Sequence, residues 1–275
     1  MRQFVEPARG PLPHEWASHG CFETMRAYGG RIFRLPAHVD RLYASAAFLG
    51  TRAPADRRRL GRQLTEALAR SGLNEAVVRV ALLPRAGEAA APSMVVQPAV
   101  TPSAETYRRG IRIGVVPARK FSVGSINPQS KYSARLGSVL AVTDAQLRGM
   151  DEALFLDDIG GVTESTASNV GIVARGAVLT PPCWLGLLAG ITRDLLFELA
   201  QELRLPIREV PLTRHDLYNA DEAFLTSTLK EVLPVTVIDG RKIGSGRPGP
   251  VTTRLLRAFR RLVRRELKLG DRVTE

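Results

Sequence analysis

Two cysteines in 275 residues, Cys21 and Cys183, stand far apart and make no ligand-like spacing. Their scarcity excludes a disulfide framework and a cysteine-based zinc module, and it points to a reducing compartment, the cytoplasm. No metal site is expected. No stretch approaches the ~18 consecutive apolar residues that a membrane span needs. The opening MRQFVEPARGPLPHEW lacks the apolar core of a secretory leader. Aromatic residues make up 6% of the chain, and no aromatic-rich strand, zinc motif or recognition-helix pattern accompanies the basic charge. That charge is large: 39 Lys and Arg against 27 Asp and Glu give +12. Much of the excess lies in RRRLGR at 57–62 and RLLRAFRRLVRRELK at 254–268. The second stretch spaces Leu255, Leu256, Phe259, Leu262 and Val263 as one face of a helix, with arginines on the other. It reads as a solvated basic face, and no nucleic-acid partner is expected.

What is present is the material of a globular protein with one large or two medium cores. The chain divides near residue 101. Residues 1–100 read as a small α/β domain, 101–110 (TPSAETYRRG) as an irregular linker, and 111–275 as a larger domain. In the first part, CFETMRAYGGRIFRL is a hairpin around Gly29-Gly30. PAHVDRLYASAAFLG and ADRRRLGRQLTEALARSGL are helices, one with Pro36 in its first turn and the other closed by Ser71-Gly72. EAVVRVALLPRAG and SMVVQPAV are strands. In the second part, KYSARLGSVLAVTDAQLRGM reads as a helix with Leu136, Leu140 and Val142 on its apolar face. DEALFLDD and VGIVARGAVLTPP are strands. GITRDLLFELAQELRLP is a helix with Thr192 as its N-cap, and a hairpin turns at Asp239-Gly240.

Three features carry chemistry. GGVTESTASNV, residues 160–170, places a lone carboxylate, Glu164, just past a turn, flanked by small hydroxyl side chains. The helix start Gly190-Ile191-Thr192 and the strand end Thr226-Ser227-Thr228 offer main-chain N–H groups and hydroxyls suited to an anion. Lys131 follows the Gly/Ser/Asn/Pro-rich turn SVGSINPQS and opens the next helix. Taken singly, these are equally well a turn residue, a capping threonine and a solvated lysine.

Their order in the chain separates the readings. GCFETMRAYGGRIF, HVDRLYASAAFL, Lys131, DEALFLDDIGGVTESTASNV, LTPP, GITRDLLFELAQEL, DLYNADEAFLTST and EVLPVTVIDGRKIGSGRPGPVT follow one another from about residue 20 to 260. In this the sequence resembles the class IV aminotransferases, the fold-type IV pyridoxal-phosphate enzymes. The resemblance implies an α+β (mixed α/β) chain of two domains, a small N-terminal α/β domain and a larger, β-rich C-terminal domain with helices. It implies pyridoxal 5′-phosphate as cofactor, amino acids and oxo acids as substrates, and a homodimer. By the same resemblance, Lys131 is the Schiff-base lysine. Its amine must be uncharged to attack an aldehyde. Glu164 contacts the pyridine nitrogen. Arg41, the main chain of Ile191, Thr192, and Thr228 hold the phosphate.

The substrate is where the sequence departs from family patterns. Branched-chain enzymes carry an Asn-Tyr pair a few residues after the lysine, whereas this chain has KYSARLGSVLA, with Arg135 near that place. ASHG, with His19, replaces the usual Y-G-D-G. His19, Arg79, Arg135 and Leu229 are the expected pocket residues. The resulting expectation is an aminotransferase acting on a hydrophobic or small amino acid, branched-chain type favoured, with an oxo acid such as 2-oxoglutarate. The alternative is an aminodeoxychorismate lyase forming 4-aminobenzoate and pyruvate, which an arginine near position 135 resembles.

Overall fold

A computed structural model describes residues 20–84, 87–119 and 127–270. Two compact units form, and neither is contiguous in sequence. The first gathers Met1–Val100, Ser130–Arg135 and Leu262–Glu275; the second gathers Thr101–Gln129 and Leu136–Arg261.

The first unit is a four-stranded antiparallel sheet with two helices on one face. β1 (Cys21–Tyr28) turns through Gly29 and Gly30 into β2 (Arg31–Ile32). Both glycines have positive φ, 54° and 72°, which is the geometry a two-residue hairpin needs and which side chains resist. Helix α1 (Leu35–Phe48) has proline in its first turn, and α2 (Arg57–Ser71) starts on the Asp56 side chain and stops at a left-handed Gly72. β3 (Ala76–Leu82) and β4 (Pro92–Pro98) complete the sheet in the order β2-β1-β3-β4. Alternation along β1 sorts its residues. Cys21, Met25 and Ala27 join Leu42, Leu60, Leu64, Leu68, Val78 and Val80 in the core. Phe22 and Thr24 lie on the other face, the face of Arg79, because Thr24 pairs with Arg79.

The second unit is built on a nine-stranded sheet. Residues 101–110, expected as an irregular linker, contain a helix, α3 (Ala104–Arg109), because the Ser103 side chain caps the Thr106 N–H. There follow β5 (Ile111–Arg119), α4 (Leu136–Leu147), β6 (Glu152–Leu156), β7 (Val162–Ser165), β8 (Asn169–Ala174), β9 (Ala177–Thr180), α5 (Ile191–Glu202), β10 (Ile207–Glu209), α6 (Arg214–Tyr218), β11 (Glu222–Ser227), β12 (Glu231–Ile238), β13 (Arg241–Lys242) and α7 (Pro250–Leu267). The strand order is β10-β9-β8-β11-β12-β5-β6-β7, and a further pairing of β7 with β8 joins six of these strands in a ring. Glu164 and Asn169 are the pair that closes it. Ile113, Leu154, Val162, Val170, Ile172, Leu225, Leu233 and Ile238 belong to one apolar core built on these strands.

Three helical expectations change. Lys131 does not open a helix: α4 begins at Leu136, and Lys131 lies on a short segment bridged antiparallel to β1 through Cys21 and Tyr132. The apolar face of α4 is inverted. Ala141 and Ala145 turn inward onto Val116, Ala153 and Phe155, while Leu136, Val139, Leu140 and Leu147 are 71%, 56%, 61% and 84% exposed. Small alanines let the helix lie close to the sheet, which leaves the larger side chains outside. Finally, the N-cap of α5 is Gly190, with no side-chain cap, and Thr192 is a buried residue of the first turn. α7 agrees with expectation: its apolar row is buried, and Arg254, Arg257, Arg261 and Arg265 are exposed. Among the described residues no helix is long and apolar enough to cross a membrane.

Candidate active site

In the first unit, α1 carries three polar residues on one face at helical spacing: His38, Arg41 and Ser45. Each has a partner on β1 or on the Lys131 segment. Glu23 occupies the inward row of β1, where its neighbours in the row are apolar, and it is fully buried. Its two oxygens receive Arg41 Nε at 2.6 Å and Nη2 at 2.9 Å, and His38 Nδ1 lies 2.8 Å from Oε2. Burial alone would raise the Glu23 pKa. The Arg41 charge and the His38 hydrogen bond outweigh it and hold the carboxyl well below the usual range. His38 moves down as well, first through its burial and then through the nearby Arg41 and Lys131 charges, against the pull of Glu23. The cluster is therefore an ionised Glu23 between a cationic Arg41 and a neutral His38 that donates from Nδ1.

Ser45 Oγ accepts the Lys131 N–H at 3.0 Å. The Lys131 carbonyl accepts the Phe22 N–H at 3.0 Å, and the Ser133 N–H donates to the Gly20 carbonyl at 2.9 Å. The main chain of Lys131 is thus fixed to both α1 and β1. Its Nζ stands 4.8 Å from the centre of the Phe22 ring, and the Arg135 guanidinium lies 6.0 Å from the same ring. Arg79, on that face of the sheet, has a buried Nε with no hydrogen-bond partner. His19 lies outside the described residues.

In the second unit, Glu164 is 7% exposed, and its Oε2 accepts from the Leu188 N–H at 3.0 Å and from Asn169 Nδ2 at 3.3 Å. Asn169 Nδ2 also donates to the Leu188 carbonyl at 2.9 Å. This amide packs so tightly against the start of α5 that a Cβ at Gly190 would stand 2.0 Å from its Oδ1. Position 190 is glycine for that reason, and the first N–H groups of α5, at Ile191 and Thr192, are left without a side-chain cap. Ser165, Ser168 and Thr226 add buried hydroxyls that have no hydrogen-bond partner. Thr228 and Leu229 sit in the turn after β11. Beside that turn Glu152 accepts from Lys230 Nζ and from Thr166 Oγ1, each at 2.5 Å.

The structure therefore brings Lys131 and Arg135 to Phe22, holds Arg41 on Glu23 on the inward side of β1, and places Glu164, Ile191 and Thr192 near one another in the other unit. The sequence did not single out Glu23, His38, Ser45 or Asn169. For Glu23 a signal existed: an acidic residue in an inward row of otherwise apolar residues must have buried partners. The donor set is one that a flat, phosphorylated heteroaromatic ring would use. Within the second unit an oriented carboxylate can serve a ring nitrogen, uncapped helix amides can serve a phosphate, and three buried hydroxyls without partners can serve its oxygens. Among the described residues no His, Cys, Asp and Glu side chains gather as a group able to hold a metal.

Residues 20–238 match the family described as amino-transferase class IV. The chain is similar to a putative branched-chain-amino-acid aminotransferase of Methanocaldococcus jannaschii, 38% identical over 247 residues that cover 88% of this chain and 86% of the relative. It is similar to the D-alanine aminotransferase of Bacillus licheniformis, 35% identical over 237 residues, 85% and 83% of the two chains. Among solved structures it is similar to the T.th. branched-chain amino acid aminotransferase complexed with N-(5′-phosphopyridoxyl)-L-glutamate. That match has a TM-score of 0.84 and 31% identity over 90% of this chain and 85% of the other.

Proposed function

This chain belongs to the class IV aminotransferases, and from that premise we propose that it moves an amino group between a branched-chain amino acid and 2-oxoglutarate, with pyridoxal 5′-phosphate as its cofactor. The cofactor, when bound, withdraws electrons from the substrate α-carbon and carries the amino group between the two half-reactions. The observation that carries this reading is Glu164, a buried carboxylate held on one oxygen by an amide N–H and an asparagine. Such a group keeps a proton on a ring nitrogen, and that proton makes the ring an electron sink. Lys131 Nζ would hold the cofactor, and as a free amine it would move the proton to and from the substrate α-carbon. Arg41 and the N–H groups of Ile191 and Thr192 bind the phosphate, with Thr228. Ser165, Ser168 and Thr226 have hydroxyls available to the same group.

A single pocket must take both a hydrophobic side chain and that of glutamate. Arg79 suits the second of these, since its Nε is buried without a partner, on the sheet face that also carries Phe22. Arg135, Leu229 and His19 are proposed as further pocket residues. The relative named for branched-chain amino acids and the L-glutamate complex support this choice of substrates. Similarity to a D-alanine aminotransferase supports a second reading, with D-alanine as donor. A screen of L- and D-amino acids with 2-oxoglutarate and with pyruvate decides between them. Branched-chain donors with 2-oxoglutarate should turn over fastest. Activity on D-alanine alone would favour the second reading, and pyruvate released from one substrate without an acceptor would favour the lyase alternative.

We also propose a homodimer. The outward stripe of Leu136, Val139, Leu140 and Leu147 on α4 is an apolar surface of the kind a second copy covers. Sedimentation at micromolar concentration should give a dimer, and Val139→Glu combined with Leu140→Glu should shift it to monomer. A fully active wild-type monomer would refute the assignment.

A further inference from the structure

We propose that Glu23 is a positioning residue for Arg41, aiming its guanidinium at the cofactor phosphate and so setting how tightly the cofactor is held. The proposal rests on the phosphate role given to Arg41 above. Glu23 lies on β1 with Cys21 and Met25 on either side of it in the inward row, a place where a carboxylate is costly without partners. The structure supplies them on one helix. Arg41 meets it side-on, through Nε at 2.6 Å and Nη2 at 2.9 Å. His38, one turn earlier on α1, lies 2.8 Å from Oε2 and stops the carboxylate from swinging. A guanidinium is planar with five donors in fixed directions. Two of them set on a rigid carboxylate determine the plane and direction of the rest. The arginine side chain is 13% exposed, and the carboxylate beneath it is completely covered. The carboxylate is therefore the deeply buried, rigid partner, and the guanidinium is the more accessible of the two. An arginine without this brace would have to be ordered by the ligand, and ordering a long side chain weakens binding.

A buried ion pair can also be merely structural, so the test must read the phosphate site through Arg41. Pyridoxal phosphate is titrated into the full-length protein in four forms: wild type, Glu23→Gln, Arg41→Ala and the double variant. Arg41→Ala should raise the dissociation constant about 100-fold, and Glu23→Gln about tenfold, equivalent to about 1.4 kcal/mol. The double variant should match Arg41→Ala, because Glu23 has nothing left to aim. Multiplied effects in the double variant would overturn the proposal, as would a Glu23→Gln protein with lowered Tm and unchanged cofactor affinity. An Arg41→Ala protein with unchanged affinity would refute the phosphate role itself, and the positioning role with it. Glu23→Asp keeps the charge and withdraws it by one methylene. It should weaken binding in the same Arg41-dependent way, and it replaces Glu23→Gln in the cycle if the glutamine variant does not fold.

Discussion

Lys131→Ala should abolish amino transfer, with a loss of at least about 10³-fold in turnover, because on the role proposed for it the variant lacks both the amine that holds the cofactor and the base that moves the proton. Wild-type protein should be yellow, and the variant should lose that absorbance band. Borohydride reduction followed by peptide mapping should label Lys131. Lys230 is the informative comparison, since its Nζ already donates to the buried Glu152 at 2.5 Å. Stability should change little. The three main-chain hydrogen bonds around residue 131 involve no part of the lysine side chain, and the residue is only half-buried. A small primary amine added to the variant should restore part of the rate by replacing the missing base. Label on Lys230, or turnover near wild type, would remove Lys131 from the mechanism.

Glu164→Gln should leave the cofactor bound and lower kcat by ~10³-fold, about 4 kcal/mol of barrier. Glutamine preserves the size of the side chain and an acceptor for the Leu188 N–H, so the local packing of Asn169 against Gly190 should survive. An amide does not hold a proton on a ring nitrogen as a carboxylate does, and charge developing at the α-carbon loses its sink. KM should move far less than kcat, because the interaction matters most in the transition state. Equal losses in cofactor affinity and kcat would indicate a packing role for Glu164, and unchanged kcat would end its assignment.

The parts of this fold that sequence made legible are those governed by local rules. Both hairpins with Gly-containing turns, at Gly29-Gly30 and Asp239-Gly240, lie where expected, since positive φ leaves a compositional mark. The buried row of α7 also lies where its period places it. What could not be read depends on distant contacts. Local composition puts the start of α5 on Thr192, yet the cap is Gly190, where Asn169, 21 residues earlier, leaves no room for a side chain. Residues 131–135 continue the composition of a helix, but hydrogen bonds to Ser45, Phe22 and Gly20 draw them alongside β1. For α4 the usual rule, large apolar residues inward, failed because closeness to the sheet selected alanine. The chemistry divides in the same way. Lys131 and Glu164 belong to motifs. The brace behind Arg41 comes from Glu23, 18 residues away on another element.

The fixing of Lys131 on both sides has a consequence for the tempo of the reaction. Its amide is tied to α1, its carbonyl to β1, and the next N–H but one to Gly20. On the role proposed for Lys131, the backbone therefore need not travel while its amine changes partners. All of that movement falls on four methylene groups, whose rotations take picoseconds to nanoseconds. Millisecond turnover would then find its slow step elsewhere, in proton removal or in the departure of product, and a solvent of higher viscosity should slow only the latter. Ser45 acquires a kinetic meaning from this: a variant lacking its hydroxyl frees one anchor of the lysine, and a hop of a few bonds becomes a loop motion.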